Sequence, residues 1–240
     1  QCTGGFYCCN LFHQTLSQLN HGNNLPGESF NSIVTFLQED YEVTPDDRER
    51  AFLLSIGAPS LLYYQYTRDD SEYLMTRKLY IKTGLETPQT VFGPFDFTPS
   101  FIKRLERIMR ADTTSYPSSM LTQYDGLSPE KRRKKRVGFM NFPVAHIIYL
   151  SVIRNFLEKE HRDFLESCSE TDKLHFMATA YKLRLVGSTG EIMAQSRHPV
   201  FFEDHENLPA PDFTFGDAAV TIYESLTTCP YLVSMLCWES

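Results

Sequence analysis

No apolar run in this 240-residue chain approaches the ~18 consecutive residues that a bilayer crossing requires. The most apolar stretch, 144–165, is broken by His146, Arg154 and Asn155, so no membrane span is expected. The opening residues, Gln1-Cys2-Thr3-Gly4-Gly5, lack the charged region and apolar core of a secretory leader. They also lack an initiating Met, as a processed or truncated chain would, which leaves room for a leader removed beforehand. No Asn-x-Ser/Thr acceptor occurs, which argues against a glycosylated secreted protein. Gly-x-Gly-x-x-Gly, a Walker loop, Gly-x-Ser-x-Gly and His-Glu-x-x-His are all missing, so the common signatures of nucleotide binding, serine hydrolysis and zinc proteolysis are absent.

Cysteine is sparse. Cys2, Cys8 and Cys9 lie at one end, Cys229 and Cys237 at the other, with Cys168 between. The spacing favours inert reduced thiols in an intracellular setting over a disulfide framework. A disulfide from Cys2, Cys8 or Cys9 to Cys229 or Cys237 is one alternative. Zinc is another: Cys2, Cys9, His13 and His21 are metal-capable, and Cys9-x3-His13 puts two ligands one helical turn apart. The Cys-x2-Cys pairs of a structural zinc site are missing, so no cofactor is the leading expectation.

What is present is a globular composition: 42% hydrophobic and 22% charged, rich in aromatics with 18 Phe and 13 Tyr. Such a chain has ample material for a large core. The net charge is −7, but Lys131–Arg136 alone holds six of the 23 basic residues, leaving 17 basic against 30 acidic groups elsewhere. A compact cationic patch on an acidic body is the sharpest electrostatic feature.

Periodicity predicts helices over 6–20, about 28–40 and from Thr44-Pro45-Asp46-Asp47 to Gly57. Thr98-Pro99 opens another helix to about 110, and Ser128-Pro129-Glu130 gives the same start. Two antiparallel β-hairpins are read between them: 60–68 with 73–82, and 174–186 with 191–202 across Gly187-Ser188-Thr189-Gly190. A helix apolar nearly all round, about 143–166, is read as central and buried. Residues 217–227 read as a short helix. The expectation is one α+β domain over 1–240, with 111–140 as an exposed basic insertion or loop.

Lys131, Arg132, Arg133, Lys134, Lys135 and Arg136 have three readings: a solvated loop, a nuclear-import signal or phosphate-binding patch, and a processing site in a secreted precursor. The acidic remainder and the absence of interleaved aromatics argue against nucleic acid as the main ligand. His146 is read as a core histidine bonded to a carbonyl. Glu203-Asp204-His205-Glu206, with His198 nearby, is read as a solvated acidic loop. His161-Arg162-Asp163 and Phe215-Gly216-Asp217 superficially resemble kinase tripeptides, but the companion elements are missing.

The function expected from these residues is a non-enzymatic protein-binding or scaffolding domain, intracellular and nuclear. Exposed members of Tyr63, Tyr64, Tyr66, Phe92, Phe95 and Phe97 are the interface candidates. A nucleic-acid-binding protein, viral or chromatin-associated and using Lys131–Arg136, is the first alternative. A hydrolase or metal enzyme assembled from distant residues such as His146, His198, Asp204 and His205 is the second.

Overall fold

The structure, a computed structural model, describes residues 27–62, 70–112, 116, 121–198 and 213–228. In chain order its named helices are α1 (Gly27–Asp40), α2 (Arg48–Ser55), α3 (Asp70–Thr83), α4 (Pro99–Ala111), α5 (Pro129–Phe139), α6 (Pro143–Glu160), α7 (Arg162–Glu166), α8 (Glu170–Lys182), α9 (Thr189–Gln195) and α10 (Phe215–Thr228). Among the described residues no strand forms, and β pairing is confined to one antiparallel bridge, Phe92 with Phe97. The α+β expectation is therefore overturned: the described chain is helical.

Both expected hairpins fail for identifiable reasons. Tyr73, Met75, Arg77, Leu79 and Ile81 alternate on paper, but the buried positions are Tyr73, Thr76 and Tyr80. That three-then-four spacing belongs to one face of a helix, and Met75 and Leu79 face solvent. Of the facing segment, 60–62 is helical and the rest lies outside the described residues. In the second case Ser169 caps α8 by accepting from the Asp172 amide. Leu174 and every residue from Phe176 to Tyr181 are buried, as in a helix enclosed on nearly all sides. The apparent alternation of Lys182, Leu183, Arg184 and Leu185 is a tight helix exit. Arg184 and Leu185 both adopt left-handed backbone, at φ 56° and 61°, while the Leu185 amide returns to the Ala180 carbonyl at 2.8 Å. The Gly-Ser-Thr-Gly sequence starts a helix instead of turning a hairpin. Ser188 and Glu191 form a reciprocal capping box on α9.

The chain divides into two compact units, Gln1–Leu62 with Asp163–Ser240, and Tyr63–Arg162. In the first, α10 packs on α8, α2 and α1, while α9 packs on α8. Gly216, Ala218 and Ala219 on α10, with Ala178 and Ala180 on α8, keep side-chain bulk low where these helices meet. Tyr181 stacks on Phe215 at 6.2 Å between centroids, and Phe52 meets Tyr223 edge-on at 5.9 Å.

In the second unit α3 packs on α5 and α4 on α6. Thr98 caps α4 by accepting from the Phe101 amide, with Pro99 at the first helical position. The predicted central helix begins at Pro143 but ends at Glu160, and His161 breaks it from α7. Its buried positions are Ala145, His146, Tyr149, Leu150, Val152, Ile153 and Leu157. Phe92, Phe95, Phe97 and Phe101 fill the space beside it.

Candidate functional site

The basic run is a helix, not a loop. Ser128 accepts from the Lys131 amide, Pro129 occupies the first helical position, and Glu130 sits in the first turn. At roughly 100° per residue, Lys131, Arg132, Lys134 and Lys135 spread over one side of α5, and Arg133, Arg136 and Val137 occupy the other. Burial follows that division: the first four residues are exposed, Arg133 is half-buried, and Arg136 and Val137 are buried. The expectation of six cations in water is corrected to four.

The two inward arginines hold the helix in place. Arg133 donates from Nε to the Ile81 carbonyl at 2.8 Å and from Nη2 to the Lys82 carbonyl at 3.0 Å. Those carbonyls belong to the last turn of α3, which lacks intrahelical partners and carries the negative end of the helix dipole. Gly84 ends that turn at φ 80°, and a Cβ there would stand 3.1 Å from Arg133 Nη1. Glycine thus serves both the left-handed exit and the passage of the guanidinium.

Arg136 reaches into the unit's core and grips Glu106 of α4 with a fork, Nε to Oε1 at 2.7 Å and Nη2 to Oε2 at 2.6 Å. Both side chains are only 6% exposed. The Tyr149 hydroxyl donates to the same Oε1 at 3.4 Å, and the guanidinium lies 5.3 Å from the Tyr124 ring centroid. Burial alone would lower the Arg136 pKa, but the Glu106 hydrogen bonds and charge outweigh it and raise it. Burial and the Glu106 charge push Tyr124 up to about 12, and the same two causes raise Tyr149 well above the usual phenol value. The phenols therefore stay neutral beside the carboxylate.

His146, one turn before Tyr149 on α6, is a core group. Its Nε2 lies 2.9 Å from the Met140 carbonyl, so Nε2 carries the proton and donates. Burial lowers its pKa to about 4, against an opposing contribution from that carbonyl. The ring stacks on Phe97 at 6.2 Å and meets Phe95 edge-on at 5.6 Å. Gly93, at φ 70°, leaves space for it: a Cβ there would stand 2.3 Å from Nε2.

Phe92, Phe95 and Phe97 are 1%, 0% and 0% exposed, so these three interface candidates belong to the core. Pro88, Gly93 and Pro94 suggest an irregular segment or an edge strand; the segment forms one bridge, Phe92 with Phe97, and its three rings are buried. Tyr63, Tyr64 and Tyr66 lie outside the described residues, as do Cys2, Cys9, His13 and His21. Among the described residues no three His, Cys, Asp or Glu side chains are arranged to hold a metal ion. Cys168 is a free, half-buried thiol whose Sγ donates to the Phe164 carbonyl at 3.4 Å.

Of the distant-residue alternative, His146 and His198 fall in different units, and Asp204 and His205 lie outside the described residues. His198 lines a small hollow of about 60 Å³ with Thr179, Lys182, Leu183, Gln195, Thr214 and Phe215. Beside it stands a cluster the sequence reading missed. Asp217 Oδ2 accepts from the Thr214 amide and hydroxyl, each at 2.8 Å, and Thr214 Oγ1 accepts from the Asp217 amide at 3.1 Å. His175 Nε2 lies 3.1 Å from that hydroxyl and 3.3 Å from Asp217 Oδ1. Burial would raise the Asp217 pKa, but hydrogen bonds from His175 and Thr214 prevail and hold it at about 2. The Thr214 proton is committed to the carboxylate, so the cluster caps α10 and does not prime a nucleophile. The Thr-x-x-Asp spacing was the available signal.

No protein-family model matches the chain, and neither curated proteins nor solved structures give a significant match.

Proposed function

We propose that the protein is a non-enzymatic protein-binding or scaffolding module that holds an acidic partner on the outer face of α5. One observation carries this reading: four exposed cations share a side of a helix whose opposite side is fixed by Arg133 and Arg136. Charges held in a set spacing give an acidic partner orientation and fast encounter. The rest of the chain is acidic in sum, 17 basic against 30 acidic groups, which on balance favours this face for an acidic partner.

The test is a binding titration of a fluorescein-labelled glutamate peptide. A variant with Lys131, Arg132, Lys134 and Lys135 each changed to Glu should lose binding while keeping the wild-type circular dichroism. Equal binding by both proteins ends the proposal. The same segment supports an intracellular, nuclear location. A fluorescent fusion should leave the nucleus when these four residues become Ala, and unchanged placement removes that element.

Nucleic acid is the second reading, supported by the size of α5, since a major groove admits an α-helix. Four phosphate contacts would give a log K against log salt slope of roughly −3.6 on duplex DNA. A flat salt dependence, or no duplex binding, removes it.

A further inference from the structure

Large apolar side chains stand in solvent on the same helix pair that presents the cations. On α3, Leu74, Met75 and Leu79 are 52%, 66% and 38% exposed; at the turn into α6, Phe142 and Val144 are 58% and 53% exposed. The two helices run antiparallel. Arg133, early in α5, reaches the carbonyls that end α3, while Arg77 of α3 reaches Asn141 Oδ1, just past α5, at 2.9 Å. Leu74, Met75, Phe142 and Val144 therefore gather toward the end where α3 and α6 begin, with Leu79 farther along α3 and Leu85, 57% exposed, just past its other end. Lys82, Lys131 and Arg132 stand exposed at the opposite end, with Lys78 between. A single exposed Leu is ordinary, but a group of large apolar side chains flanked by charge marks an interaction surface.

We propose that the exposed α3–α5 face docks a protein segment of two-part character, apolar at one end and acidic at the other. The proposal rests on the reading of α5 as the binding element and extends it by assigning a role to the apolar end. Charge complementarity selects the occupant: the cationic end calls for carboxylates, and the apolar end calls for Leu-, Phe- or Met-like side chains. An interfacial membrane helix sorts its residues by depth, with an apolar stripe along its whole length. Here four of the apolar side chains gather at one end and most of the exposed cations toward the other, with Leu79 and Leu85 among the latter. A uniformly anionic polymer would match one end alone. The 14 residues of α3 span roughly 21 Å, which a helical segment of similar length would cover.

The experiment compares fluorescein-labelled peptides of about 14 residues by anisotropy: one glutamate-rich in one half and Leu/Phe-rich in the other, and one of glutamate alone. A DNA duplex and phosphatidylserine vesicles are run alongside. The two-part peptide should bind at least ~10-fold more tightly than the glutamate peptide. A Leu74→Ser, Met75→Ser, Phe142→Ser variant should abolish that gain and leave glutamate-peptide binding unchanged. All three residues are exposed, and circular dichroism checks that the variant folds. Equal affinity for the two peptides, or a gain that survives in the variant, overturns this inference while α5 remains a binding element. If neither peptide binds, the underlying reading fails with it. Tighter binding to the duplex or the vesicles overturns the choice of a protein partner.

Discussion

Exchanging Arg136 for Met removes the deepest attachment of α5 and leaves its outer cations in place. The variant loses two charge-assisted hydrogen bonds, at 2.6 and 2.7 Å. Glu106, 6% exposed, keeps only the more distant Tyr149 hydroxyl at 3.4 Å as a hydrogen-bond donor from this network. Removing one partner of a buried pair costs about 3–5 kcal/mol, because the remaining charge is left uncompensated. An exposed pair would lose no more than ~1 kcal/mol. With a urea m-value of about 2 kcal/mol per molar, the midpoint should fall by roughly 1.5–2.5 M in equilibrium unfolding followed by far-ultraviolet circular dichroism. A double variant, Glu106→Leu with Arg136→Met, carries no stranded charge and should return to the wild-type midpoint or above it. Two results would refute the reasoning: a single-variant loss of ~0.5 M or less, or a double variant no more stable than the single.

Stability should also fall with acid through His146. Its folded pKa, about 4, lies below the ordinary ~6.5, so the unfolded chain binds more protons across that window. Stability is then complete above ~6.5 and is lost as the pH drops toward 4, by up to about 3 kcal/mol; a His146→Gln variant should flatten that part of the profile in urea titrations. Gly93→Ala and Gly126→Ala share a backbone cost, at φ 70° and 71°, but an added Cβ collides with His146 only at Gly93. Gly126→Ala should cost about 1 kcal/mol and Gly93→Ala clearly more; equal melting temperatures would contradict the packing. Ser188→Ala should remove about 1 kcal/mol from α9, seen as faster amide exchange over Thr189–Gln195 with α5 unaffected.

The starts at Thr98-Pro99 and Ser128-Pro129 were legible because a cap acts within a few residues of itself, and the uncapped start at Pro143 because proline suits the first helical position. The Thr44-Pro45 start was displaced: Asp47 caps α2 and accepts from the Arg50 amide at 3.1 Å. The strand reading of 73–82 failed because a short window of Tyr, Leu and Thr fits either period. Packing of Tyr73, Thr76 and Tyr80 decided between them. In Gly187–Gly190 the two glycines outweighed the Ser188–Glu191 spacing, although that spacing was the stronger local signal. The basic run was visible as charge. The separate role of Arg136 was not, because its partner is 30 residues away in sequence. His175 likewise meets Thr214 across 39 residues. No local rule brings such groups together.

The lettering of the run from 131 to 136 encodes a division of labour. Two of the three arginines grip the fold, Arg133 the end of α3 and Arg136 the Glu106 carboxylate, while exposed Arg132 makes a single 3.4 Å contact with the nearby Leu127 carbonyl. Of the lysines, Lys135 reaches the Gln123 carbonyl, while Lys131 and Lys134 stand exposed. A planar guanidinium engages two acceptors at fixed angles, whereas an ammonium is a rotating point charge. Rewriting every arginine here as lysine would preserve the electrostatic potential and yet unmoor the element that displays it. Homologues that swap the two cations at 133 or 136 would therefore be expected to carry compensating changes at the carbonyl or carboxylate they face.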